Sequence, residues 1–267
     1  MWTEEHRDWT KVDYKPLAQG RAFPSDFMWG VATASHQIEG GNTNNWSAFE
    51  PGSKSQQLSG EACDHWHRRT DDVGLIKDLG VSHYRFSIEW SRIVPAEGEW
   101  NQEAAQWYSD LVDELLSEGI QPMATLHHFT QPIWWEEQGG FEREENIHHW
   151  VDFSTRMFAL LSDRVEWWCT INEPAVFTTM GYVLGEFPPG VRSFKRARSV
   201  AMNMMKAHAA CYRELKSMEH GEKCEIGLVK NINLFDPYRR WNPLHWFQAR
   251  LLDSMFNRCW IKGLKTG

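Results

Sequence analysis

The chain has 267 residues, of which 42% are hydrophobic and 24% are charged, so it has ample apolar material for a folded core and is not a disordered chain. Its formal net charge of −8 would repel a polyanion, which argues against nucleic acid as a partner. No apolar run is long enough to cross a bilayer and the amino terminus has no hydrophobic export signal, so we expect a cytoplasmic protein that does not bind membranes.

Strand and helix patterns alternate along the chain. The segments typical of buried strands are residues 27 to 35, 82 to 90, 121 to 128, 165 to 172 and 225 to 235. The segments with helical spacing of apolar residues are 101 to 119, 147 to 161, 194 to 219 and 244 to 257, and Asn101 is placed to cap the first of them. Because parallel neighbours need a long connection between them, this order predicts a parallel sheet with right-handed crossovers.

Polar side chains collect where four of the predicted strands end. They are Gln37 and Glu39, Glu89 and Arg92, His127 and His128, and Asn172 and Glu173. Catalytic groups lie at the carboxyl ends of the strands in (β/α)8 barrels, and no G-x-G-x-x-G turn or P-loop supports a nucleotide-binding sheet instead. Five strands extend to residue 235. We therefore expect an incomplete (β/α)8 TIM barrel, with strands one to five and their helices.

We expect a single domain over residues 1 to 267, in which residues 1 to 21 form an amino-terminal extension. No internal repeat and no linker divides the chain. The five cysteines form no C-x-x-C pair, which fits reduced thiols in the cytoplasm.

Glu173 has two interpretations. It follows an apolar run and precedes Pro174, which is common at the start of a helix, so its carboxylate would serve as a helix cap. Alternatively it is a general acid, because burial among Trp167, Trp168 and Phe177 would favour its protonated form. The residues alone leave both interpretations open.

The remaining candidate groups favour neither a metal nor a cofactor. Adjacent His127 and His128 point to opposite faces of a strand, and no further ligands with zinc spacing accompany them. Four tryptophans follow predicted strand ends, where a ring could stack on a sugar, although each is more readily explained as core: Trp46, Trp90, Trp134 and Trp135.

Four motifs resemble one family. "FPSDFMWGVATASHQIEGG", "YRFSIEWSRIVP", "ATLHHFTQPIWW" and "TINEP" are similar in type, order and spacing to the blocks of glycoside hydrolase family 1, the retaining β-glucosidases and β-galactosidases. The resemblance implies that Glu173 is the general acid/base and that Asn172 binds the 2-hydroxyl of the sugar. It further implies that Gln37 and His128 bind other hydroxyls of the nonreducing sugar and that Arg85 orients the nucleophile. His127 stands where the family often has an aromatic residue.

The family's nucleophile lies in a T-E-N-G block, and this block does not occur in the 267 residues. Glu39, Glu50 and Glu89 are possible substitutes, but a structural role explains each of them better. Because a retaining mechanism needs two carboxylates, we expect a protein for β-glycoside or oligosaccharide hydrolysis whose 267 residues alone turn over negligible substrate.

Three other possibilities remain open from the sequence. The chain is a half-barrel that binds carbohydrate without catalysis, or it pairs with a second chain that supplies strands six to eight. A third possibility is an inverting hydrolase that uses Glu173 with a different base.

Overall fold

Five parallel strands form one sheet in the order β1-β2-β3-β4-β5 in the computed structural model of the protein, which describes residues 23 to 266. The strands are β1 (Gly30–Ala32), β2 (His83–Ser87), β3 (Gln121–His127), β4 (Trp167–Asn172) and β5 (Glu225–Val229). Each strand pairs with the next one along the chain, which confirms the predicted parallel sheet. The predicted extension at residues 1 to 21 lies outside the described residues.

All five strands are shorter than predicted, β1 and β5 most of all. β1 covers three residues, because the chain leaves the sheet at Thr33 and Ser35 begins a short helix. β5 ends at Val229, and an irregular segment follows it instead of the predicted continuation to residue 235. Aromatic and aliphatic residues in both flanking segments made them resemble strands, but several of these side chains are exposed, such as Trp29 and Leu234. In a strand of a covered parallel sheet they would be buried.

Long helices connect the strands. The helices are α1 (Ser35–Ile38), α2 (Asn45–Phe49), α3 (His65–Asp78), α4 (Trp90–Ile93), α5 (Gln102–Ser117), α6 (Ile133–Glu137), α7 (Ile147–Leu161), α8 (Pro174–Thr178), α9 (Phe194–Ser217), α10 (Pro243–Asp253) and α11 (Cys259–Thr266). Segments Glu50–Gly52, Gly140–Glu142 and Glu144–Asn146 are 3-10 turns, and Thr179–Leu184 and Ser254–Arg258 are π-helical. The four predicted helices are present as α5, α7, α9 and α10.

Local sequence explains where α5 begins and ends. The side chain of Asn101 accepts a hydrogen bond from the backbone N–H of Ala104 at 3.0 Å, which confirms the predicted cap. Gly119 follows the helix with a φ of 75°, a left-handed conformation that glycine adopts without strain. Helix α3 was not predicted, because its apolar residues do not lie on one stripe: Val73 is buried whereas Leu75 is exposed.

The core lies between the sheet and the long helices. Leu111 and Leu115 of α5 and Phe158 of α7 are fully buried. The ring of Phe158 packs against that of Trp168 in β4, with 4.9 Å between the ring centres. This helix layer covers one face of the sheet and fixes the five strands side by side, so their carboxyl ends meet at one edge. Among residues 23 to 266, no helix is both long and apolar enough for a transmembrane span.

Candidate active site

Glu173 occupies the turn between β4 and α8. Its backbone N–H donates to the carbonyl of Val229 in β5 at 2.8 Å, and its φ of 44° and ψ of 58° are left-handed. This conformation is uncommon for a residue with a side chain and costs about 1–3 kcal/mol. The Glu173 side chain makes no capping hydrogen bond to α8. The structure thus gives no support to the helix-cap interpretation.

The surroundings of Glu173 differ from the expectation. Its side chain is half-buried, not enclosed by aromatic rings. Trp168 faces the helices, where it packs on Phe158, and its indole N–H donates to the carbonyl of Val165 at 2.9 Å. The sequence did not reveal this, because neighbouring residues on a strand point to opposite faces and the turn at Glu173 breaks that alternation.

Asn172 and Arg85 are brought together from two strands. Asn172 ends β4 and is buried, and Arg85 lies in β2. The Nη1 of Arg85 donates to the Oδ1 of Asn172 at 3.2 Å. This bond fixes the orientation of the Asn172 amide, because its oxygen is engaged and its NH2 group remains as the donor. The arrangement leaves a hydrogen-bond donor on the residue that directly precedes Glu173.

The two histidines at the end of β3 have different surroundings. His127 is fully buried, with its ring centre 5.2 Å from that of Phe141 and 5.4 Å from that of Phe177. Its Nε2 pairs with the side-chain oxygen of Gln131 at 3.2 Å, and burial lowers its pKa to about 4. His127 therefore belongs to the core.

His128 is close enough to Arg85 to interact with its charge. Burial, together with smaller charge interactions with Arg85 and His127, lowers the pKa of His128 to about 3. The imidazole is neutral at physiological pH, so one ring nitrogen donates and the other accepts. This is the chemistry needed to bind a hydroxyl group.

Within residues 23 to 266, no hydrogen bond joins the side chain of Gln37 to the other predicted site residues. It lies in α1 with an exposed side chain. Its neighbour His36 is buried instead, where Nε2 pairs with a carboxylate oxygen of Glu50 at 2.9 Å and Nδ1 with the amide of Asn44 at 3.1 Å. Adjacent side chains of a helix face different directions, so when His36 is buried, Gln37 is exposed to solvent.

Glu89 and its neighbours form a buried hydrogen-bonded network, which the sequence did not reveal. The carboxylate of Glu89 accepts hydrogen bonds from four side chains at 2.7 to 3.2 Å, and these belong to Ser35, Asn44, Ser91 and Thr130. These four hydrogen bonds occupy the four acceptor sites of the carboxylate. Glu89 thus holds the loops after β1, β2 and β3 together.

Glu39 and Glu50 have structural contacts as well. The carboxylate of Glu39 accepts from the hydroxyl of Tyr108 at 2.5 Å and from Nε of Arg92 at 3.0 Å. Glu50 pairs with His36 and accepts from the backbone N–H of Ser59 at 2.8 Å. These contacts support the structural interpretation of both residues. The one local signal for this network was the N-x-x-S pattern at Asn44, which forms a capping box.

All four candidate tryptophans make structural contacts, and the indole N–H of Trp46 donates to the carbonyl of Phe129 at 3.2 Å. Trp90 and Trp135 are fully buried and their ring centres are 4.8 Å apart. The indole N–H of Trp134 donates to the carbonyl of Val94 at 3.0 Å. Trp46 is half-buried and packs on Phe187, with 4.8 Å between the ring centres.

The fold has the form of the first half of a barrel with polar groups at its strand ends, and comparison with known proteins agrees. The family model for glycosyl hydrolase family 1 matches residues 19 to 264. Beta-glucosidase A of Thermotoga maritima is 36% identical over 227 residues, which are 81% of this chain and 50% of that protein. Cytosolic beta-glucosidase of Homo sapiens is 37% identical over 80% of this chain and 48% of its own length. The chain belongs to glycosyl hydrolase family 1.

Solved structures have the same fold. A beta-glycosidase from Pyrococcus horikoshii superimposes with a TM-score of 0.84 at 42% identity, over 90% of this chain and 55% of that one. The beta-glucosidase of Thermotoga maritima in complex with deoxynojirimycin gives a TM-score of 0.83 at 33% identity, over 88% and 55% of the two chains. The chain spans about half the length of the relatives it matches. The expected fold, strands one to five of a TIM barrel, is confirmed.

Proposed function

We propose that this chain carries the acid/base half of the active site of a retaining β-glycoside hydrolase, with β-glucosides as the substrate class. The observation that carries the proposal is the hydrogen bond from Arg85 in β2 to Asn172 at the end of β4, the residue directly before Glu173. The names of the relatives, beta-glucosidase and beta-glycosidase, support the substrate class. The human relative's name, cytosolic beta-glucosidase, supports a cytosolic location.

Each side chain has a role in the proposed reaction. Glu173 donates a proton to the glycosidic oxygen as the bond to the anomeric carbon breaks, and later takes a proton from the attacking water. Asn172 donates to the 2-hydroxyl through its NH2 group, while His128 and Gln37 bind other hydroxyls of the nonreducing sugar. Arg85 orients the nucleophilic carboxylate, which in retaining enzymes lies about 5–5.5 Å from the acid.

Binding of an iminosugar tests the proposed sugar site directly. We expect deoxynojirimycin to bind the purified chain saturably in isothermal titration calorimetry. Asn172→Ala and Glu173→Gln should each weaken binding about 10-fold or more, because a hydrogen bond to a charged ligand contributes about 1.5–3 kcal/mol. The control is Glu225→Gln, which changes an exposed carboxylate at the opposite end of β5. Equal affinities for all four proteins would refute the proposed site.

Hydrolysis tests the missing half of the mechanism. The 267 residues contain no T-E-N-G block, so we expect no turnover of an aryl β-glucoside by this polypeptide alone. Turnover that disappears in Glu173→Gln would overturn that expectation. In that case the anomer released first distinguishes a retaining from an inverting reaction, and the α-anomer would support the inverting alternative.

A chain-pairing role is the second candidate, and the edges of the sheet favour it. Within residues 23 to 266, β1 and β5 each pair with one strand only. Large apolar side chains next to both edges are exposed, with exposed fractions of 52% for Trp29 and 89% for Leu234. Open edges of this kind bind further strands. Co-expression with a polypeptide that carries the last three βα units of a family member should give a co-purifying complex, and separate elution of the two would refute pairing.

A further inference from the structure

Lys230 lies beside Glu173 at the carboxyl edge of the sheet. β4 and β5 run in parallel with Asn172 level with Val229, and the backbone N–H of Glu173 donates to the carbonyl of Val229 at 2.8 Å. Glu173 directly follows β4, and Lys230 directly follows β5. The ends of the two strands therefore bring a carboxylate and an ammonium group to adjacent positions.

The ammonium of Lys230 is held in a defined place. It lies 4.6 Å from the centre of the Phe256 ring and donates to the carbonyl of Asn231. The side chain is half-buried. Burial lowers the pKa of Lys230, whereas the thiol of Cys259 and the carboxylate of Glu173 act in the opposite direction. The two charges thus interact without lying in direct contact.

Glu173 has few polar contacts that could stabilise its charge. Among the residues that the structure describes, its carboxylate accepts no side-chain hydrogen bond and forms no direct ion pair, and it interacts electrostatically with Lys230. Glu89 is different, because four donors surround that carboxylate. Lys230 is consequently a positive charge that acts on Glu173 from the neighbouring strand end.

We propose that Lys230 is a positioning residue for Glu173 and supplies a positive charge from the end of β5 that acts on its carboxylate during catalysis. The inference rests on the proposed acid/base function. In the first step the O–H bond of Glu173 breaks and its proton joins the leaving oxygen, while the bond from that oxygen to the anomeric carbon breaks and the nucleophilic carboxylate, which the 267 residues do not contain, bonds to the carbon. The negative charge left on Glu173 interacts with Lys230. In the second step Glu173 takes a proton from water, the water oxygen bonds to the anomeric carbon and the nucleophilic carboxylate leaves, while Lys230 keeps its own proton throughout.

This role follows from the change in charge of Glu173, which is neutral before the first step and negative after it. A neighbouring cation favours the ionised form of a carboxylate over its neutral form. Lys230 therefore assists the proton transfer to the leaving group and keeps Glu173 ready as a base for the water. A lysine that merely covered the Phe256 ring with its aliphatic stem would have neither effect.

Titration of Lys230 tests the coupling without the need for turnover. We would label lysine with 13C at the ε-carbon, assign Lys230 by its absence in Lys230→Met, and follow its chemical shift against pH. A Cys259→Ser background removes the contribution of the thiol. We expect Glu173→Gln to shift the titration midpoint of Lys230 downward, because the Glu173 carboxylate raises the pKa of this lysine.

The control is Glu225→Gln, which makes the same change of charge at the amino end of β5 and should leave the midpoint in place. An unchanged midpoint in Glu173→Gln would overturn the proposal. Glu173→Ala provides a second variant with the same expected downward shift if Glu173→Gln does not fold. Loss of deoxynojirimycin binding is a separate result: a chain that binds no sugar but shows the coupling contradicts the proposed function, not the charge pair.

Discussion

Replacing Glu39 by glutamine should change how the stability of the chain depends on pH. Glu39 is 2% exposed, and its carboxylate accepts from Tyr108 and from Arg92. Burial and the negative charge of Glu89 raise the pKa of Glu39 from its usual 4.5 to about 7, although the hydrogen bonds from Tyr108 and Arg92 act in the opposite direction. The loss of hydration on burial raises the pKa of Glu39 more than the hydrogen bonds from Tyr108 and Arg92 lower it. Glu39 is therefore protonated in the folded chain at acidic pH.

The sign follows from proton binding in the two states. Between pH 4.5 and about 7 the folded chain holds a proton at Glu39 that the unfolded chain has released. The free energy of unfolding therefore falls as the pH rises through this range, and the effect levels off above it. Because one pKa unit corresponds to about 1.36 kcal/mol, the total change is about 3 kcal/mol.

Urea unfolding followed by tryptophan fluorescence measures this change. In Glu39→Gln the site has no proton to lose, and its oxygen can still accept from Tyr108 or Arg92. We expect the stability of the variant relative to the natural chain to increase by about 3 kcal/mol between pH 4.5 and pH 8. The control is the exposed Glu222, whose replacement by glutamine should leave the relative stability constant. If the difference in the free energy of unfolding between Glu39→Gln and the natural chain did not change with pH, Glu39 would be ionised throughout and would form a true ion pair with Arg92.

Two further predictions concern the core. The pKa of His127 is about 4 instead of 6.5, so acid should destabilise the folded chain, because the unfolded chain binds a proton at this residue first. His127→Phe should reduce this loss of stability by about 3 kcal/mol between pH 7 and pH 4, as measured by urea unfolding. Equal acid sensitivity of the variant and the natural chain would contradict the buried neutral ring. Phe158→Ala removes a ring packed on Trp168 and should cost about 3–5 kcal/mol. Phe194→Ala, at a 70% exposed position, should change stability by less than about 0.5 kcal/mol, and similar losses for both would contradict the position of the core.

Local patterns in the sequence predicted the long elements well. Helix α7 spans Ile147–Leu161, as its apolar stripe predicts, and Asn101 caps α5. Both results depend on residues three or four positions apart, whose spacing in a helix is fixed by its geometry. Helix α3 was missed because its buried and exposed apolar residues are mixed, so no stripe is visible.

Contacts between distant residues were beyond the reach of those patterns. Ser35, Asn44 and Thr130 lie 54, 45 and 41 positions from Glu89, and only the folded chain brings them to one carboxylate. The coupling of Lys230 with Glu173 is of the same kind, because it depends on β4 and β5 lying side by side. No spacing rule within one segment relates such residues.

By itself, the sequence determined the parallel sheet, the positions of the long helices other than α3, and the placing of Asn172 and Glu173 at a strand end, since each follows from short-range periodicity and turn chemistry. The tertiary structure decided which of these groups meet. It joined Arg85 to Asn172, placed His127 in the core and His128 beside Arg85, and left Gln37 exposed. The physical reason is that burial and charge interactions depend on distance in space, and the packing of the helices against the sheet sets that distance.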